Sequence, residues 1–93
     1  MPGPESKIET AVSDYATTRG LMQRKFKTPG RRNAPDRIFF QQPAIVFFIE
    51  FKAEGEIARK GQVREANKLR ALGFDVHFVD DITKGKSIID SYT

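Results

Sequence analysis

The fold is decided by one stretch of the chain, Ala44-Ile45-Val46-Phe47-Phe48-Ile49-Glu50-Phe51-Lys52. Its first six residues form the longest apolar run in the sequence, which is typical of a central strand covered on both faces. Glu50 and Lys52 then interrupt the strand, and because side chains alternate, both point to the same face. Burying an unpaired charge costs on the order of several kcal/mol. The pair therefore marks either a functional site or an ordinary ion pair where the strand emerges into water.

Hydrophobic periodicity on either side of this stretch predicts three helices and three further strands. Helices are expected over residues 5–19 and 61–72, with a short helix through Ile88 and Ile89 at the end of residues 81–92, and strands over residues 21–26, 36–40 and 74–79. Three strands in succession indicate an antiparallel meander, and the strand–helix–strand passage over residues 44–79 indicates a right-handed parallel crossover. The expected fold is a single α/β domain over residues 1–93, with a mixed four-stranded sheet flanked by helices in the order αβββαβ(α).

Length and composition narrow the class of protein. The chain has 93 residues and a formal net charge of +4. It has no cysteine, which excludes a disulfide framework, a thiolate zinc site and a cysteine nucleophile. The longest apolar run is far shorter than the ~20 residues of a bilayer span, and the first residues lack the pattern of a signal peptide. We therefore expect a cytoplasmic protein without membrane association. A domain of this size buries only ~60–65% of the surface of its unfolded chain, so dimerisation is a fair expectation.

Positive charge is concentrated in residues 19–37. This segment has seven basic residues and a single acidic one, so the rest of the chain is slightly acidic. The basic residues are Arg19, Arg24, Lys25, Lys27, Arg31, Arg32 and Arg37. Such a stretch is often only a solvated face, but this one leads into the acidic residue Asp36 and therefore favours a polyanionic substrate.

Asp36 and Glu50 are expected to face one another across two strands. If the intervening turn centres on Pro43, the two residues are opposite in an antiparallel pair, with Cβ atoms ~4.5–5.5 Å apart. Carboxylates this close repel unless a cation lies between them, and oxygen ligands suit Mg²⁺ or Mn²⁺. Lys52 on the same face could orient or deprotonate a metal-bound water. Together with the basic loop, these residues predict a phosphodiesterase site.

The same residues match a known signature. Pro35-Asp36, then thirteen residues, then Glu50-Phe51-Lys52 form the PD-(D/E)xK nuclease pattern. The wider sequence resembles the virus-type replication-repair nuclease (VRR-NUC) domain of that superfamily, in its standalone phage or bacterial form. The resemblance is carried by Pro29-Gly30-Arg31-Arg32-Asn33-Ala34-Pro35-Asp36-Arg37, by Ile49-Glu50-Phe51-Lys52-Ala53-Glu54-Gly55, by Gln62 and by Leu69-Arg70-Ala71-Leu72-Gly73-Phe74-Asp75-Val76.

This resemblance implies a restriction-endonuclease-like fold and cleavage of DNA that depends on Mg²⁺ or Mn²⁺. It implies that Asp36 and Glu50 bind the metal together with the backbone carbonyl of Phe51, and that Lys52 is the catalytic lysine. Gln62 matches the family's glutamine on the following helix, and helical periodicity turns it toward the sheet, where it could reach a metal-bound water. Without the family, a polar residue at a helix start is an equally good interpretation of Gln62.

The first helix usually contributes a further carboxylate in this family, and two residues could supply it. Glu5 precedes Ile8 by three residues on the inward face and is preferred by the resemblance. Glu9 lies about 100° round the helix from Ile8 and is the second choice. A glutamate at a helix start is also ordinary capping and dipole chemistry, so a structural role for Glu5 stays open.

Two positions depart from the family pattern. Asn33 stands where glycine is common, but asparagine tolerates a positive φ better than other non-glycine residues. Arg59-Lys60-Gly61 replaces a Ser-Pro pair that often precedes the glutamine, which weakens the helix cap and adds positive charge. We expect the second change to affect contact with DNA and to leave the metal site intact.

The function that the resemblance implies is that of a homodimer similar to Holliday junction resolvases, acting in DNA repair in a bacterial or phage-infected cell. Two symmetrically placed active sites would suit paired cuts across a four-way junction. The residues expected to bind DNA phosphates are Lys25, Lys27, Arg31, Arg32 and Arg37. No residue pattern reads a base, so selectivity for DNA structure is expected in place of sequence specificity.

Two other functions are compatible with the sequence. A flap or end-processing nuclease would use the same site on a different substrate, and a non-catalytic module would keep the fold and only bind DNA. The intact set of Asp36, Glu50, Lys52 and Gln62 argues against pure binding, because a carboxylate pair repels phosphates. The dimer surface could include Phe39 or Phe47.

Overall fold

The computed structural model describes residues 3–93, and its elements follow the predicted order. Within these residues the helices are α1 (Pro4–Thr18), α2 (Lys60–Ala71) and α3 (Ile82–Ser91), and the strands are β1 (Met22–Lys25), β2 (Arg37–Gln41), β3 (Ile45–Phe51) and β4 (Asp75–Val79). Each expected element is present, and the bounds of α1, α2 and the strands differ from their predictions by no more than one residue, whereas α3 is longer than the short helix expected at the end of residues 81–92. None of the helices in this part of the chain combines the length and apolar character that a bilayer crossing requires.

The four strands form one mixed sheet in the order β1-β2-β3-β4. The first three are antiparallel neighbours, and β4 lies parallel to β3 after the crossover through α2. In the β2–β3 register Arg37 pairs with Ile49, because the connecting turn centres on Pro43. Continuing that register by one residue places Asp36 opposite Glu50. The predicted α/β class is confirmed, and the register of β2 and β3 is the one from which the opposition of the two carboxylates was predicted.

One face of the sheet carries the main hydrophobic core, covered by α1 and α3. Its buried side chains are Ile8, Val12, Ala16, Leu21, Phe39, Phe47, Ile49, Phe51, Val79 and Ile89. Phe47 lies stacked between Phe39 and Tyr92, with ring centroids 5.0 and 3.8 Å away. Phe39 and Phe47 have no exposed surface. The suggestion that they belong to a dimer surface is therefore wrong, because the monomer's own core uses both rings.

The opposite face is covered more thinly, by α2 alone among the helices. Its buried cluster consists of Phe48, Ala66 and Val76. At the margins of this face Met22 is 54% exposed and Phe74 38% exposed. Glu50 and Lys52 project from β3 toward this side, so the first turn of α2 is the element that meets them.

Candidate active site

Asp36 is fixed at the end of the β2–β3 pair by backbone hydrogen bonds on both sides. Its Oδ2 atom accepts a hydrogen bond of 2.7 Å from the backbone N–H of Phe51, in the neighbouring strand. Its carbonyl oxygen accepts one of 2.9 Å from the N–H of Phe26, just beyond β1. The carboxylate is thus held beside Glu50 by the sheet itself and does not depend on loop conformation.

Gln62 joins the two charged residues of β3. Its Nε2 donates a hydrogen bond of 2.8 Å to Glu50 Oε2, and its Oε1 accepts one of 2.5 Å from Lys52 Nζ. The same Oε1 accepts a hydrogen bond of 3.0 Å from the backbone N–H of Arg59, at the start of α2. Glu50 and Lys52 are each only 6% exposed, with Nζ 3.8 Å from Oε2, so the alternative of a surface ion pair is wrong. Gln62, itself 5% exposed, orients both charges.

The electrostatics of the site favour a bound cation. Burial, followed by the negative charge of Asp36, raises the pKa of Glu50 to about 7, and the charges of Lys52 and Arg59 only partly oppose this rise. Burial also raises the pKa of Asp36, against the hydrogen bond from the Phe51 N–H. Both carboxylates are therefore destabilised in their ionised forms when the protein stands alone, and a divalent cation would reverse that effect.

The donor atoms suit a hard divalent cation. Glu50 Oε1 is buried and has no hydrogen-bond partner within residues 3–93, although a buried carboxylate oxygen is normally satisfied. No group of three or more acidic or histidine side chains converges on a metal position in this part of the chain. Mg²⁺ is nevertheless commonly held by one or two carboxylates together with water and substrate phosphate oxygens. Asp36, Glu50 and the Phe51 carbonyl match that sparse set.

The two glutamates of α1 have different surroundings. Both line the same cavity as Asp36 and Glu50. The charge of Glu9 contributes to the raised pKa of Asp36 and of Glu50, after burial in each case. The carboxylate of Glu5 lies against the start of the helix, where a Cβ atom added to Gly3 would be 3.0 Å from Glu5 Oε1. That position corresponds to the helix-start role left open for Glu5.

The predicted DNA-binding residues fall into two groups. Lys27, Arg31 and Arg32 are exposed on the loop between β1 and β2. Arg37 and Lys25 instead bind the same acceptor, Glu9 Oε2, at 2.7 and 3.0 Å. The Arg37 side chain is only 17% exposed and also donates to Gln23, so its charge is directed into the protein.

Asn33 and Gly61, the two departures from the family pattern, are in contact. Asn33 has the left-handed φ of 72° that the loop requires. Its side chain lies over the first turn of α2, where a Cβ atom on Gly61 would be 2.5 Å from Asn33 Nδ2 and 2.8 Å from Cγ. The asparagine side chain occupies this position because residue 61 has no Cβ, and a larger residue there would force it to move. This contact joins the loop that leads to Asp36 to the helix that carries Gln62.

These side chains surround a cavity of about 560 Å³. It is lined by the predicted residues and also by residues that the sequence did not place there, among them the charged Glu56 and Arg59. Arg59 carries a sequence signal, because it lies three residues before Gln62 at a helix start and therefore shares its helical face. Glu56 lies in the irregular segment between β3 and α2 and carries no periodic signal.

Comparison with known proteins agrees with this geometry. No family model matches the chain. A curated relative, named "Putative nuclease p44" in Acyrthosiphon pisum secondary endosymbiont phage 1, is 37% identical over 76 residues, which cover 82% of each chain. A solved structure described as a VRR_NUC domain superposes with a TM-score of 0.89 over 99% of this chain and 100% of its own, at 24% identity, and so shares the fold. On the strength of the phage relative, the shared fold and the PD-(D/E)xK residues at the sheet end, the chain belongs to the VRR-NUC family of nucleases.

Proposed function

We propose that this nuclease is a metal-dependent, structure-selective DNA endonuclease. The observation that supports the proposal is the buried network of Glu50, Lys52 and Gln62, with the half-buried Asp36 beside it, at the wall of an open cavity. Two carboxylates in a cleft that repel each other and have raised pKa values destabilise the fold unless a bound cation offsets their charge, so they are typical of functional sites. A metal ion bound to both carboxylates would offset their charge, and a phosphodiester could approach it through the cavity.

The chain's own residues divide the chemistry between them. Asp36, Glu50 and the Phe51 carbonyl would hold Mg²⁺ or Mn²⁺, which when bound supplies Lewis-acid stabilisation and a more acidic water. Lys52 donates one of its three N–H groups to Gln62 and can direct another at a phosphate oxygen, where it stabilises the additional negative charge of the transition state. Gln62 holds Lys52 and Glu50 in place beforehand, so little reorganisation is needed during the reaction.

Glu9 is the carboxylate of α1 that we assign to this site, in preference to Glu5. Its charge acts on both Asp36 and Glu50, whereas Glu5 lies at the helix start. Arg37 and Lys25 neutralise part of the Glu9 charge and hold its Oε2 atom. These two cations are therefore assigned to positioning Glu9, and phosphate binding is assigned to the exposed Lys27, Arg31 and Arg32.

Branched DNA, cut by a homodimer, is the substrate arrangement that we propose. Cations on one loop bind phosphates whatever the sequence, which favours recognition of DNA structure over base sequence. Met22 and Phe74, exposed at the thinly covered face of the sheet, provide apolar surface for a second copy. A two-fold dimer would present two active sites to the two symmetric strands of a four-way junction.

A cleavage panel tests the proposal directly. Wild-type protein with Mg²⁺ or Mn²⁺ would be incubated with synthetic four-way junctions, flaps and linear duplexes, and its mass in solution measured by light scattering. We expect paired cuts in the junction, a dimeric mass, and no cleavage in EDTA. Asp36→Ala should abolish cleavage and retain junction binding, whereas Asp14→Ala, which removes an exposed carboxylate from α1, should cut normally.

The other outcomes of the cleavage panel would each support a different function. Preferential cutting of flaps or ends by a monomer would replace the resolvase-like assignment with an end-processing one. Binding of junctions without cleavage of any substrate in either metal would leave a non-catalytic DNA-binding module and would refute the enzyme assignment.

A further inference from the structure

Arg59 occupies a position at the active-site cavity for which the reaction described above has no use. It is the N-cap residue of α2, and its backbone N–H donates to Gln62 Oε1 at 3.0 Å. Its side chain makes no capping hydrogen bond, and it forms no ion pair within residues 3–93. Arg59 lines the cavity and is exposed to solvent.

The cavity lining is dominated by negative charge. Its acidic residues are Glu5, Glu9, Asp36, Glu50 and Glu56, against two cations, Lys52 and Arg59. Lys52 is 6% exposed and hydrogen-bonded to Gln62, so it serves the floor of the cavity. Arg59 is therefore the solvent-facing cation among the lining residues of the described chain. A DNA strand entering this acidic cavity meets one accessible positive side chain at its mouth.

We infer that Arg59 binds the DNA phosphate next to the one that is cleaved. This inference rests on the proposed nuclease function and adds a substrate contact to it. Glu50 and Lys52 lie buried on the floor, where the reacting phosphate must reach them, whereas Arg59 lies at the exposed rim on the same side as Gln62. The planar guanidinium can donate two parallel hydrogen bonds to the oxygens of that neighbouring phosphate.

Position and chemistry together explain why an arginine is tolerated at this N-cap. Serine, threonine, aspartate or asparagine would satisfy the free N–H groups of the first helical turn, and arginine cannot accept such a bond. Instead, the Arg59 N–H donates a hydrogen bond to Gln62 Oε1, and the arginine side chain makes no capping bond and remains available to a ligand. The Arg59 backbone is thereby attached to the same glutamine that orients Glu50 and Lys52.

Kinetics with chemically modified DNA test this contact. Arg59→Ala, Arg59→Lys and the control Arg64→Ala would be compared with wild type on the best-cleaved substrate of the panel. Arg64 is an exposed arginine of the same helix that does not line the cavity. Thermal unfolding would establish that each variant is folded. Each protein would also be assayed on substrates carrying a single neutral methylphosphonate at one position flanking the cleaved bond.

We expect Arg59→Ala to lower kcat/KM by about 10- to 100-fold, the range for a lost charged hydrogen bond. Arg59→Lys should recover part of that loss, and Arg64→Ala should change kcat/KM by less than about threefold, since a single exposed charge contributes little. One flanking methylphosphonate should slow wild type and Arg64→Ala by a similar factor and leave Arg59→Ala unaffected.

Three results would overturn the inference. The contact is absent if Arg59→Ala cleaves as fast as Arg64→Ala, or if it stays as sensitive as wild type to every flanking methylphosphonate. An equal loss in Arg64→Ala would show a general effect of positive charge. If wild type cleaves nothing, the proposed function itself is refuted. If wild type cleaves DNA and Arg59→Ala behaves like the control, only the Arg59 contact is refuted.

Discussion

The contact between Asn33 and Gly61 leads to a prediction about stability that a single substitution cannot test. Replacing Gly61 by alanine normally stabilises a helix by up to about 1 kcal/mol, because glycine has the greater backbone entropy to lose. Here the new Cβ would lie 2.5 Å from Asn33 Nδ2 and 2.8 Å from Cγ. Both distances are about 1 Å shorter than the usual contact between such atoms. The Asn33 side chain must therefore move, or α2 must shift away from the loop.

The expected magnitude follows from these opposing effects. Overpacking of this kind costs about 1–3 kcal/mol, which offsets or exceeds the helical gain. Gly61→Ala alone should therefore leave the free energy of unfolding unchanged or lower it by up to about 2 kcal/mol. In an Asn33→Gly background the obstructing side chain is gone and the positive φ is easier to adopt, so the same alanine should stabilise by about 0.5–1 kcal/mol. The coupling between the two positions should be about 1–3 kcal/mol.

Urea unfolding monitored by circular dichroism, on wild type, both single variants and the double variant, measures this coupling. Gly73→Ala is unsuitable as a control because Gly73 has a φ of +98°. Asn67→Ala, at an exposed position of α2, provides a control in which no coupling to residue 33 is expected. If Gly61→Ala stabilises both backgrounds equally, the Asn33 side chain does not lie over Gly61 and the reasoning is refuted.

Three further predictions concern the charged network. In EDTA the folded-state pKa of Glu50 is about 7, against an ordinary value of 4.5, so Glu50 contributes stability below pH 4.5 that is lost as the pH rises through 7. Between pH 4.5 and pH 8, the free energy of unfolding should therefore fall by about 3 kcal/mol more in wild type than in Glu50→Gln. An equal fall in both proteins would contradict this. Gln62→Ala should lower kcat by about 10- to 100-fold with DNA affinity retained, because Lys52 and Glu50 lose their common partner, and an equal loss of DNA affinity would count against an orienting role. Single-turnover cleavage should be slowed about tenfold more by Glu9→Gln than by Glu5→Gln, and the reverse order would restore Glu5 as the carboxylate of the site.

The secondary structure was predictable because local and tertiary preferences agree along most of the chain. The apolar run Ala44–Ile49 is typical of a central strand, the short turn before it made β2 an antiparallel neighbour, and the helical crossover after it made β4 a parallel one. The pairing of Asp36 with Glu50 followed from the location of Pro43 by counting residues, since a hairpin register is determined by its turn. Counting of this kind uses only covalent geometry, which the sequence contains.

The contacts that the predicted residues make were harder to predict from the sequence. The sequence offered Lys25 and Arg37 as equivalents of Lys27, Arg31 and Arg32, because all five lie in one basic segment. Strand alternation and the position of α1 turn two of them toward Glu9. Periodicity identifies the face on which a side chain lies and does not identify the helix that will cover it.

By itself, the sequence determined the αβββαβα order, the opposition of Asp36 and Glu50, and the signature that resembles VRR-NUC nucleases. Only the tertiary structure decided that Gln62 joins Glu50 to Lys52, that Asn33 requires a glycine at position 61, and that Arg59 faces the cavity. The physical reason is the same in each case. These contacts form between a loop or strand and the first turn of α2, and the distance and angle at which α2 packs on the sheet depend on the side chains of Phe48, Ala66 and Val76 together.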